Sequence, residues 1–157
     1  MAQTFVVAAR VAVVAVLVVA ALSKLLTPPK RSDPTILGLS PRVSTGVLVM
    51  CELSVAALLL IVPSVGSATA ILLFVAMTMW LFTHLGSASG GCRCFGELSG
   101  AGIGWPQIAR NAVLIGLAIV AGADGKDANG ALAVLVGLPL GALMVLSDQL
   151  IPTGRPR

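Results

Sequence analysis

Cys92 and Cys94, in the stretch GGCRCFGELSG, are the side chains of this sequence best suited to two-electron chemistry. Thiol–disulfide exchange needs a thiolate that attacks and a second thiol near enough to resolve the mixed disulfide. Arg93, between them, favours the thiolate electrostatically. The glycines on either side allow the tight turn that a small ring requires. A bridge between residues this close is strained, and strained bridges are the labile, oxidising ones. The same pair also suits a structural bridge, or half of a soft-metal site with His84. Metal sites want three or four ligands, and the third thiol, Cys51, reads as a small core residue.

Glu52 is the second residue whose chemistry stands out. It is the tenth of the twenty residues Val43–Val62, and at about 1.5 Å per residue a helix places it near mid-bilayer. A carboxylate there costs about 2.5–3.5 kcal/mol on insertion scales. It must face the bundle interior, find a partner or take up a proton. Handling protons or a ligand is one reading; a helix–helix hydrogen bond that only fixes packing is the other.

Those residues sit in a chain that belongs in lipid. It has 157 residues, of which 57% are hydrophobic and 10% charged, and a mean hydropathy of +1.03. A soluble domain carries about 25% charged residues, so this chain cannot clothe a water-facing surface. The net charge of +4 does not signal nucleic-acid binding, because the basic residues form no patch with interleaved aromatics. Basic residues at the ends of apolar segments mark topology or lipid headgroups instead. No nucleotide-binding loop is recognisable in the sequence.

Five segments read as membrane helices: 5–26, 43–62, 66–85, 107–122 and 130–150. Each must be helical, since unpaired backbone groups cannot face lipid. The fourth is short, so four full crossings and one partial one is the alternative count. The expected architecture is an all-α, polytopic transmembrane bundle of four to five helices in one domain, 1–150, with a short tail at 151–157. Arg10 followed by Val11–Leu22 also resembles a signal peptide, although the apolar stretch runs on to Leu26. The first connection, Thr27–Arg42, contains four prolines and reads as an irregular loop; Gly86–Pro106 holds seven glycines and both clustered cysteines.

If the helices alternate in direction, Lys24, His84, Cys92, Cys94 and Arg110 share one membrane face, with Asp148 returned to it by a fifth helix. Snorkelling into the headgroups is the plain reading for Lys24 and Arg110. An interfacial hydrogen bond is the plain reading for His84. Arg10 lies toward the opposite face and reads as an anchor.

Taken together, these motifs resemble a family. A first helix ending in SKLL, CEL in the middle of the second, the loop motif CRCFG and a fourth helix opening on RN (Arg110-Asn111) are similar to the methylamine-utilisation protein MauE family. That family belongs with the DoxX-like redox-associated membrane proteins. The resemblance runs from about Phe5 to Val120, and is most specific at Cys92–Gly96 and Arg110-Asn111. The family usually has glycine between the cysteines where this chain has Arg93, a change that keeps the thiols but alters their electrostatic surroundings.

The resemblance implies a small helical bundle in the bacterial cytoplasmic membrane. It also implies a role in disulfide formation or in maturation of a partner, as for the disulfide-rich small subunit of methylamine dehydrogenase. The implied partners are a thioredoxin-like protein or a client with thiols. On this reading Cys92 and Cys94 are the working pair. Lys24 and Arg110 stabilise a thiolate or an anionic partner, with Asn111 and His84 as further binding residues. Glu52 exchanges protons or, by analogy with other helical disulfide-forming membrane enzymes, binds a quinone-like carrier. The competing classes are a non-catalytic assembly factor, a small transporter subunit and a metal-handling membrane protein.

Orientation divides the indications. Lys30, Arg31, Arg42, Arg155 and Arg157 favour a cytoplasmic location for the face that also carries the cysteines. Disulfide formation in bacteria, and with it the resemblance, favours the other side.

Overall fold

The computed structural model describes residues 2–27, 40–83, 105–123 and 130–150, the last with side chains to 146. Five helices make up these residues: α1 (Ala2–Leu26), α2 (Pro41–Ile61), α3 (Pro63–Thr83), α4 (Trp105–Ala121) and α5 (Gly130–Leu150). The described residues contain no strand. The protein is an all-α helical membrane bundle, as its composition requires.

Proline sets the helix starts. Pro41 opens α2 behind an extended Ser40, where its missing N–H leaves no hydrogen bond unmade and its fixed φ suits a first helical residue. Pro63 opens α3 in the same way, and Val62 before it is pushed out of helical geometry. Only Val62 separates α2 from α3, so the two form an antiparallel hairpin. They cross so tightly that a Cβ on Gly66 would collide with the backbone of Leu59.

The helices α1, α2, α3 and α4 form a closed ring in which each touches the next and α4 returns to α1. Register fixes the directions. Ser67 Oγ, near the start of α3, donates to the Ala118 carbonyl near the end of α4 at 2.6 Å. At the other end, the Phe82 and Trp105 rings meet edge to face with centroids 6.2 Å apart. These two helices are therefore antiparallel. In contrast, α5 lies outside the ring along α1 and runs parallel to it. Gly137 backs onto Ala8 and Gly141 onto Ala12, and a Cβ on Gly137 would come within 2.6 Å of the Ala8 carbonyl oxygen. The helices thus alternate in direction, and the last turn of α1, the start of α2, the end of α3 and the start of α4 share one face.

Inside the ring, Val13, Val16, Leu17, Leu59, Phe74, Leu114 and Ala118 form the core. The large side chains on the outside are apolar as well, among them Leu22, Met50, Leu60, Leu72, Met79 and Leu135. A surface of that kind faces lipid rather than water. By length and composition α1, α2 and α3 can cross a membrane. At 17 residues, α4 is about 25 Å long, short of a hydrocarbon core of about 30 Å.

The shortness of α4 explains Arg10. Its Nε and Nη2 donate to the Ala121 carbonyl at 3.1 and 3.0 Å, and Nη2 also donates to Ala123 at 3.0 Å. A helix that stops within the bundle leaves carbonyls without intrahelical partners, and a cation at a C-terminus also complements the helix dipole. Arg10 therefore closes the end of α4.

Candidate functional site

Glu52 is the twelfth residue of the 21 in α2, and its side chain turns into the ring with 2% of its surface exposed. Its Oε1 accepts a hydrogen bond from Lys24 Nζ at 2.7 Å. Lys24, 7% exposed, lies in the last turn of α1 and also donates to the Ala20 carbonyl at 3.4 Å. Side chains on a helix lean toward its N-terminus, so at the C-terminal end of a membrane helix a lysine leans inward, toward the bilayer centre. That geometry carries Lys24 down to Glu52 rather than out to the headgroups, and the snorkelling reading is corrected.

Arg110 and Asn111, in the second turn of α4, are buried and line one small space with Glu52, and Gln107 on the same helix is buried as well. Residues 107, 110 and 111 have the spacing of a single helix face. That face gives α4 its amphipathic character, and it looks inward. Asn111 Nδ2 donates to Thr78 Oγ1 of α3 at 3.2 Å, and that hydroxyl donates to the Phe74 carbonyl at 2.7 Å. Snorkelling is excluded for Arg110 as well, since it is 5% exposed.

A cavity of about 20 Å³ lies among these residues. Glu52, Arg110 and Asn111 form its polar wall; Val16, Leu17, Ala20, Phe74, Met77 and Leu114 close the rest. All four ring helices contribute. Cavities that take up benzene measure about 150 Å³, so this one is too small for a quinone ring.

The structure thus brings together four of the residues singled out by their chemistry: Lys24, Glu52, Arg110 and Asn111. The other three, His84, Cys92 and Cys94, lie outside the described residues. Cys51 is exposed on the outside of the bundle, which corrects its reading as a core residue. Adjacent helix positions diverge by about 100°, so with Glu52 turned inward, Cys51 faces lipid. Gln107 and Thr78 were not anticipated. The Gln107, Arg110, Asn111 spacing was a usable signal for the first. Thr78 carried none, because a threonine in an apolar helix is ordinarily satisfied by its own backbone.

The family model described as methylamine utilisation protein MauE matches residues 2–124. No curated protein and no solved structure matches the chain. The matched segment covers the whole four-helix ring and every residue of the buried cluster, and ends before α5.

Proposed function

Because the chain belongs to the MauE family, we propose that it is a thiol–disulfide redox protein of the bacterial cytoplasmic membrane that supports disulfide formation or maturation of a partner protein. One observation supports the reading. Thr83 and Trp105, the helix ends that flank the segment bearing Cys92 and Cys94, lie at the face beneath which Lys24, Glu52, Arg110 and Asn111 converge. Charged groups buried in a bilayer are costly and mark functional sites by default.

In the proposed exchange, a client dithiolate attacks the Cys92–Cys94 disulfide. The first client sulfur forms a mixed disulfide and releases one loop thiolate; the second client sulfur displaces the other. The client gains a disulfide, and its two electrons pass to the loop cysteines, which leave the exchange as thiolates and take up protons from water. A thioredoxin-like disulfide then reoxidises them by the same steps in reverse. Arg93 and the cationic cluster favour the thiolates. Arg110 and Lys24 set a positive field at this end of the bundle, Asn111 and His84 bind, and Glu52 exchanges protons.

The test is alkylation of Cys92 and Cys94 in native membranes, with and without prior reduction. The proposal expects a fraction of molecules to become alkylatable only after reduction. A single-cysteine variant, Cys92→Ser or Cys94→Ser, should stall as a mixed disulfide with its partner, and the double variant should capture none. Thiols that never change oxidation state, with client maturation intact in the double variant, would leave the assembly-factor reading in its place. Side-selective labelling of Cys94 in intact cells reports which side of the membrane the exchange uses.

A further inference from the structure

We infer that the interior cavity binds a single water molecule, which donates one hydrogen bond to Glu52 Oε2 and one to the side-chain amide oxygen of Asn111. The inference begins with an accounting of the carboxylate. Lys24 satisfies Glu52 Oε1 at 2.7 Å. Among the described residues no donor reaches Oε2, which is buried in a side chain 2% exposed. Buried polar atoms are nearly always hydrogen-bonded, to protein or to ordered water, and a carboxylate oxygen in an apolar setting is among the costliest to leave bare.

Size and charge decide the occupant. The cavity measures about 20 Å³, and one water needs about 10–15 Å³ by the same measure, with two to four polar partners. Glu52 of α2 and Arg110 and Asn111 of α4 supply polar groups to its lining. An anion would meet the carboxylate, and a cation would meet both Lys24 and Arg110. An apolar occupant would leave Oε2 unsatisfied. A neutral donor the size of water meets every requirement.

The water makes Glu52 a site where a proton can enter or leave inside the bundle. Asn111 passes the contact to Thr78, whose hydroxyl donates to its own helix at Phe74, so the bonded chain ends on the α3 backbone. It is a local proton-exchange site, with no continuation along α3. The inference needs no thiol chemistry and stands independently of the proposed redox function.

Water-edited solid-state NMR on the full-length, isotope-labelled protein in phosphatidylcholine bilayers tests it. The expected result is polarisation transfer from water protons to the Glu52 carboxyl carbon and the Asn111 side-chain carbonyl, well above that reaching Leu59, which is 0% exposed and does not line the cavity. Ala20→Val fills the cavity, and Asn111→Leu removes the second partner. Either should reduce the Glu52 signal to the Leu59 level, while Lys24–Glu52 dipolar coupling confirms that the ion pair persists. A wild-type Glu52 signal no greater than that of Leu59 would overturn the inference. So would a signal undiminished in both variants with the pair intact.

Discussion

Lys24 and Glu52 stand 28 residues apart in sequence, and their charged atoms lie 2.7 Å apart inside the bundle. The pair joins the last turn of α1 to the middle of α2. Removing two charges from water costs several kcal/mol per ion, so the contact is not simply a gain in stability. What it does is make each charge tolerable to the other.

Separating the two partners should therefore be much worse than removing both. Lys24→Met alone leaves a buried carboxylate uncompensated and should cost about 3–5 kcal/mol. The double variant Lys24→Met, Glu52→Leu should recover most of that loss. Reversible unfolding in lipid nanodiscs measures both. Client disulfide formation assayed in the stable double variant then separates function from packing: loss of activity at near-normal stability identifies the pair as functional.

Arg10 offers a second measurable tie. Arg10→Met removes donors from two carbonyls at the end of α4 and should cost about 1.5–3 kcal/mol, the range for hydrogen bonds to charged groups. Arg10→Lys should recover only part, since a single ammonium cannot reproduce the fork that reaches Ala121 and Ala123 together. Hydrogen exchange should quicken first at the C-terminal turn of α4.

The glycines separate cleanly by what surrounds them. A Cβ at Gly137 would sit 2.6 Å from the Ala8 carbonyl oxygen, whereas nothing lies within 4 Å of one at Gly116. Gly137→Ala should destabilise the packing of α5 on α1 by about 1–3 kcal/mol, as overpacking does. Gly116→Ala should be neutral or favourable by up to about 1 kcal/mol, through helix propensity alone. Thermal unfolding of both variants checks the contrast.

Cys51 should behave as a lipid-facing thiol. In a Cys92→Ser, Cys94→Ser background within intact membranes, neither an apolar maleimide nor a sulfonated one should label it at the rate of a water-facing thiol, because maleimides add to water-solvated thiolates. Labelling by the charged reagent at an undiminished rate would place Cys51 against water instead.

Much of this was legible residue by residue. The shortage of charge forces the chain into lipid, and apolar runs about twenty residues long must then be helices. Pro41 and Pro63 mark helix starts by a local rule, and the short fourth run appears in the sequence as the short α4. That Glu52 must be met inside the bundle also follows from its position alone. Its partner does not. Lys24 at a helix end and Arg10 near the other face read equally well as anchors, because a sequence shows depth along a helix but not the helix's rotation.

Rotation is settled only when neighbouring helices meet. Small residues at Ala8 and Gly137 let α1 and α5 approach closely, and the Gly66–Leu59 crossing fixes α2 against α3. Those contacts turn Glu52 inward, Cys51 outward and the Gln107–Arg110–Asn111 face of α4 into the bundle. The residue types and their approximate depth belong to the chain. Their convergence belongs to the packing, since each ring helix adds only part of the cavity wall and no local stretch contains the whole.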